Sequence, residues 1–202
     1  MMSFIFIAVF FSALQGEVPV KDREAFIREF DKVAGNTTSI QCDFVQRKFI
    51  SFSKEPLTSE GVMYYQNQDM RWDQKIPNEY VMVVSGDVVT ILEGGKKSEH
   101  SLSSNKLMRG MKEIMVGSIT GNLLKSDQFE TTIFENASEF IVKLVPISSR
   151  LKKMFEKVKL TFDRSSYRMK NVVLSEPGGD YTEIVFSDAV FNKKLSIDLF
   201  SL

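Results

Sequence analysis

Residues 59–92 read SEGVMYYQNQDMRWDQKIPNEYVMVVSGDVVTIL. The spacing predicts four short strands in succession. The first covers residues 61–65 and ends in the polar turn Gln66-Asn67-Gln68-Asp69. The second covers 70–74. Side chains alternate along a strand, so Met70 and Trp72 share one face and Arg71 and Asp73 the other. Lys75-Ile76-Pro77-Asn78 breaks it, because Pro has no N–H to give to a ladder. The third covers 79–84, and Ser85-Gly86-Asp87 turns the chain into the fourth at 88–92. Dense β-branched and aromatic content between closely spaced turn signals indicates an antiparallel meander.

On either side of the meander the chain carries one clear amphipathic helix. Upstream, Asp22 is placed to cap a helix over 22–34, with Phe26, Ile27, Phe30, Val33 and Ala34 at helical spacing and Gly35-Asn36 to end it. A strand over 40–50 follows, with Ile40, Cys42 and Phe44 on one face, and then a loop over 51–58. Downstream, Glu93-Gly94-Gly95-Lys96-Lys97 reads as a solvated turn. Residues 105–117 read as the second helix, striped by Leu107, Met108, Met111, Ile114 and Met115. Gly110 weakens that helix by roughly 1 kcal/mol relative to Ala. Strands are expected over 129–134, 139–145, 157–163, 169–175 and 181–187, with a short helix at 149–155 and a last apolar strand at 195–200. Pro177-Gly178-Gly179-Asp180 is a turn.

The 202 residues are enough for one domain with a substantial core. Lys+Arg and Asp+Glu balance at 26 each, so no basic excess points to nucleic acid. The opening residues, MMSFIFIAVFFSALQG, hold an apolar run at 4–14 that is too short to span a bilayer and matches the core of a signal peptide, although no Lys or Arg precedes it. Export with cleavage near residue 16 and a buried N-terminal segment both fit. Cys42 is the only cysteine and reads as a small buried hydrophobe.

Catalytic chemistry finds little to work with. His100 is the only histidine, so a His/Cys metal cluster cannot be built, and no metal or cofactor is expected. Ser101, Ser103 and Ser104 lie near it without a G-x-S-x-G turn to present a nucleophile. Glu176, Asp180 and Glu183 flank the Gly-Gly turn and read as solvated turn residues rather than an acid–base pair. A hydrolase is therefore poorly supplied, and no catalytic residue is assigned.

The order of elements in the opening stretch resembles a family. A glycine-led strand, a short turn, an Arg-Trp strand, a Pro corner, a strand, a Ser-Gly-Asp turn and another strand are similar to the bacterial outer-membrane lipoprotein carrier proteins, the LolA family. The resemblance implies a mainly β, α+β fold: an unclosed antiparallel barrel, or curved sheet, covered by a lid of helices, over residues 17–202. It implies a periplasmic carrier, exported through a cleaved signal peptide over 1–16. Such a carrier binds lipoprotein acyl chains in a hydrophobic cavity and moves them from an inner-membrane lipoprotein-releasing transporter to an outer-membrane acceptor. A monomer is expected. The lining implied comprises Phe44, Tyr64, Met70, Trp72, Val84 and Ile91 on strands and Leu107, Met111, Ile114 and Met115 on the second helix. From the residues alone these are equally an ordinary core. Met111 and Met115 suit a lid because thioethers repack around variable shapes. Family members carry a basic residue followed by Pro in the turn that is Gln66-Asn67-Gln68-Asp69 here, so no polar latch is carried over to it. A carrier of another lipid, and a lipid-sensing regulatory domain, share the same expected fold.

One magnitude limits any such carrier. Burial of a CH2 is worth about 0.8 kcal/mol, so one chain of ~16 carbons gives on the order of 12 kcal/mol. Three fully buried chains would exceed the ceiling of about 18–21 kcal/mol for non-covalent complexes. Release then requires partial burial, or a lid that exchanges its own packing for the ligand.

Overall fold

A computed structural model describes residues 16–202, apart from the side chains of Lys106, Leu107 and Met111. The expected export segment lies outside those residues except for Gly16. In chain order the elements are β1 (Val18–Pro19), α1 (Arg23–Gly35), β2 (Ser39–Phe49), β3 (Leu57–Gln66), β4 (Asp69–Ile76), β5 (Tyr80–Ser85), β6 (Val88–Glu93) and β7 (Lys96–Ser101). They continue with α2 (Lys106–Thr120), β8 (Phe129–Glu135), β9 (Glu139–Pro146), α3 (Ser149–Lys152), β10 (Lys157–Asp163), β11 (Met169–Ser175) and β12 (Tyr181–Phe191). The described strands form one antiparallel sheet in the order β1-β8-β9-β10-β11-β12-β2-β3-β4-β5-β6-β7, which leaves β1 and β7 as edges and the barrel unclosed.

Turn chemistry sets the register of the meander. Asn67 and Gln68 both have positive φ, as do Gly94 and Gly95. Each pair makes the two-residue hairpin whose twist matches that of its strands. Register then carries one face from strand to strand. Cys42, Met63, Trp72, Met82 and Ile91 lie opposite one another across β2 to β6, and Ile40, Tyr65, Met70, Val84 and Val89 form the next row. This inner face is roofed by the helices. Phe26 and Phe30 of α1 pack edge-on against Phe140 of β9 and Phe162 of β10, at 4.8 and 5.0 Å between ring centroids. Ile114, Met115, Val116 and Ile119 of α2 complete the same core.

The stack of Phe44 on Trp72, with centroids 3.7 Å apart, crosses from β2 to β4 over the intervening β3. Gly61 makes that possible. It lies opposite Phe44 on one side and Gln74 on the other, so any side chain there would project into the stack. A Cβ at Gly61 would also stand 2.1 Å from the Asp73 carbonyl oxygen and 2.8 Å from Gln74 Cα. Gly110 plays a similar part in the roof: a Cβ there would meet Met154 Cε at 2.9 Å and Leu151 Cδ2 at 3.4 Å, so the glycine lets α2 settle onto α3 and the turn after it.

Four expectations change. The turn expected over 93–97 closes on Gly94 and Gly95, and residues 96–101, most of which the sequence left without an element, form β7; the strand lies at an edge, where charges such as Lys96, Lys97 and Glu99 discourage further pairing. β3 starts at Leu57, which shortens the preceding loop. α2 runs through Gly117 and stops at Gly121, which adopts the left-handed conformation that ends helices. The last apolar segment is a 3-10 turn at Ile197–Phe200, not a strand. It covers the outer face of β4 and β5, where Leu195 and Phe200 bury Val83 and pack with Tyr64 and Val81. Arg71 fastens it, donating to the Leu199 carbonyl at 3.1 Å while pairing with Asp73 at 3.2 Å.

Gly61→Ala is expected to lower stability by about 2 kcal/mol and Tm by roughly 4–8 °C, because backbone atoms must move to admit the methyl group. Gly35→Ala, where nothing lies within 4 Å of the added Cβ, is the control and leaves Tm within about 2 °C. Thermal melts followed by circular dichroism check both.

Candidate acyl-chain cavity

Between α2 and the inner face of the sheet lies a cavity of about 510 Å3. Met70 and Trp72 of β4, Met82 and Val84 of β5 and Val89 of β6 form its floor, Ile184 of β12 adds a wall, and Met108 and Met115 of α2 close it from above. Strand alternation explains the floor, since every second residue of β4, β5 and β6 faces inward. The roof follows from helical spacing, which brings 108, 112 and 115 to one side of α2.

Polar groups stand at both ends. Gln46, Gln74, Asn78 and Glu93 line the cavity where β4 ends and β5 begins. Burial first, and then the neighbouring Glu93 charge, push the Tyr80 hydroxyl above its usual range. At the other end Lys112 donates to the Gly86 carbonyl at 2.7 Å and ties α2 to the β5–β6 turn. Two further contacts hold the helix: the Asn105 side chain accepts from the Met108 N–H at 3.2 Å as an N-cap, and Glu113 pairs with Arg150 at 3.3 Å.

Of the residues named from the sequence, Met70, Trp72, Val84 and Met115 line this space. Phe44 is buried behind Trp72 as its stacking partner. Ile91 is half-buried opposite Met82, outside the lining, and Ile114 is solid core at 0 % exposure. Tyr64 is a correction. Its register partner is Arg71, so it points to the outer face and packs in the second cluster with Leu195 and Phe200. Leu107 and Met111 lie on α2, with side chains outside the described ones. Tyr80, Met82, Val89, Met108 and Ile184 were not among the residues named. Met82 and Val89 follow once register is known, because they sit directly opposite Trp72 and Val84. Met108 already belonged to the helical stripe.

The groups weighed for catalysis are dispersed. His100 sits on edge strand β7 opposite Val89. Ser101 Oγ donates to Asp87 at 2.8 Å, and the Ser101 and Ser103 hydroxyls together hold the Asp87 carboxyl below its ordinary range. Glu176 pairs with Lys48 at 2.9 Å, Asp180 accepts from the Ser51 N–H at 2.9 Å, and Glu183 faces Arg47 at 3.8 Å, so the three acids serve separate contacts. Burial, and then Asp43, push the Cys42 thiol up to about 12. Among the described residues no group of three or more His, Cys, Asp or Glu side chains gathers to hold a metal, and no helix is long and apolar enough to cross a membrane.

An uncharacterized conserved protein from Thermus thermophilus is similar in structure at a TM-score of 0.53 and 11% identity, over 89% of this chain and 93% of that one. The MucA/MucB complex of Pseudomonas aeruginosa contains a chain similar at a TM-score of 0.51 and 12% identity, over 88% of this chain and 60% of that one. A LolA superfamily protein from Nitrosomonas europaea gives a TM-score of 0.46 at 12% identity, over 89% and 97%. Among curated protein sequences nothing matches. At these identities the likeness in structure bears on the fold alone. Sequence carries the assignment further: residues 35–202, from the end of α1 onward, match the family described as outer membrane lipoprotein carrier protein LolA. The chain belongs to the LolA family.

Proposed function

We propose that this protein is an extracytoplasmic carrier that holds an acyl chain of its cargo beneath α2 and passes it on without covalent chemistry. The observation that carries the reading is the cavity itself. A space of about 510 Å3 between a helix and a sheet, floored by Met, Val and Trp side chains, is what a LolA-family carrier needs for cargo. A methylene group and a water molecule are close in size, and water takes about 30 Å3 of liquid, so the cavity has room for one chain of about 16 carbons. Burying one such chain supports on the order of 12 kcal/mol, well below the affinity ceiling, and so permits release.

Lipoproteins are the cargo that the family description names. In this reading the chain is exported through the segment at 1–16, an inner-membrane transporter loads it, and an outer-membrane acceptor unloads it. Loading draws on α2. Met108 and Met115 repack around a chain, and the Lys112 bond to Gly86 gives way on the polar side without exposing core.

Trp72 is the only tryptophan and stands in the cavity floor, so brominated acyl chains are expected to quench its fluorescence. Met108→Glu places a carboxylate against the chain and is expected to weaken that quenching at least tenfold while leaving the far-UV spectrum intact. Tyr64→Leu, on the opposite face, leaves it unchanged. Unaltered Trp72 emission with bromolipid bound would remove the chain from the cavity. A second measurement concerns turnover. Cargo recovered from the protein after prolonged incubation is expected to have its original mass, and free fatty acid in the eluate would instead make the protein a hydrolase.

A further inference from the structure

The outer flank of α2 carries a second hollow that acyl-chain binding leaves unused. It measures about 250 Å3 and lies between α2, the β3–β4 turn at Gln68 and the start of β8 at Phe129. Its charges do not balance. Arg109, Lys112 and Glu113 line it, and Arg150 reaches in to pair with Glu113 at 3.3 Å and to donate to Gln128 Oε1 at 3.1 Å. The one carboxylate is thus engaged by Arg150. Lys112 has one donor on the Gly86 carbonyl, and its charge is shared with the nearby Asp87 carboxylate, which it helps to hold ionised. Arg109 Nε is buried, and among the described residues no acceptor meets it. A buried donor without a partner is rare and unfavourable, and a missing anion is among its ordinary explanations.

The chemistry of those groups selects the anion. A guanidinium presents paired N–H donors in a plane that fits two oxygens of a phosphate, and an ammonium beside it adds a point charge. Gln68 and Asn122 supply neutral amides to the same hollow. Lys112 also lines the acyl-chain cavity, so the two spaces adjoin at its side chain. The far end of that cavity carries Glu93 among uncharged amides and repels an anion. An amphiphile with one anionic end is therefore oriented, with its head toward Lys112 and its tail toward Trp72.

We propose that this hollow binds the phosphate group of the cargo, which makes the cargo an anionic phospholipid-like amphiphile whose acyl chain occupies the cavity under α2. The proposal rests on the carrier reading of the cavity and replaces its lipoprotein cargo with a phospholipid-like one, because the acylated end of a lipoprotein carries no phosphate.

The test uses the purified full chain, Trp72 fluorescence and two brominated lipids with equal acyl chains, phosphatidylglycerol and diacylglycerol. The phosphate is expected to lower Kd about tenfold relative to diacylglycerol. Arg109→Gln is expected to bring the two lipids within about twofold of each other while leaving the diacylglycerol Kd in place. Equal affinity for both lipids in the unaltered protein overturns the proposal and leaves the carrier reading standing, as does an Arg109→Gln variant that weakens both alike. If neither lipid quenches Trp72, the proposal and the carrier reading fall together. Inorganic phosphate separates a head-group site from a free-phosphate site. The Arg109 Nε–H resonance, identified by its absence in Arg109→Gln, is expected to shift with phosphatidylglycerol at a far lower concentration than with phosphate. Saturation by phosphate at the same concentration as the lipid would make the hollow a free-phosphate site and overturn the assignment.

Discussion

The inner wall depends on one stack of rings. Phe44 and Trp72 belong to strands that do not touch, and they meet because β3 places a glycine between them. Aromatic pairs add about 0.5–1.5 kcal/mol beyond the area they bury. Position matters more here than that sum. The stack fills the gap that Gly61 leaves on the face of β3 and fixes the indole as the floor of the cavity. Were Gly61 any larger residue, its side chain would crowd the rings and the Asp73 carbonyl would have to retreat.

A carrier of this design balances two demands that a core and a pocket make separately. The α1 half of the roof is closely packed, with Phe26 and Phe30 interleaved among Phe140, Phe162 and Tyr167 and a hollow of only about 50 Å3 beside Phe30. The α2 half leaves space above Met70, Trp72 and Val84. Close packing and open space thereby lie at different ends of one sheet. In the carrier proposed above, the packed end holds the fold with or without cargo, and the open end keeps apolar surface available. The thioethers of Met108 and Met115 soften the boundary, since they tolerate several packings of similar energy.

Local rules made much of this legible, and the limits of those rules explain the rest. Met70 and Trp72 share a face because alternation along β4 is a local matter, and the helix spanned by Arg23–Gly35 starts where Asp22 caps it, with its carboxylate accepting from the Ala25 N–H at 2.8 Å. Tyr64 misleads because Tyr64 and Tyr65 put a tyrosine on each face of β3, and the outer one is covered by Leu195 and Phe200, which are distant in sequence. The same segment reads as a strand because an apolar run is the signal for one, whereas here it serves as a cover. Lys96–Ser101 escapes notice as a strand because an edge strand exposed to water has no apolar side to announce it. The cavity leaves one faint trace. Gln46 takes an inward position after Ile40, Cys42 and Phe44, and an amide at such a place marks a pocket end instead of a packed interior.

Seen mechanically, the clasp between Arg71 and the Leu199 carbonyl makes the molecule a vice with one fixed jaw. The outer cover braces β4 and β5 from behind, and the Asp73 carboxylate beneath it is shared between Arg71 and Lys75, at 3.2 and 2.8 Å. In the carrier proposed above, pressure from an inserted chain therefore meets a stiff plate on the sheet side and a compliant rod on the helix side. On that proposal the travel of the rod sets the calibre of what enters, and remodelling α2 is the direct way to retune the grip while the plate stays as it is.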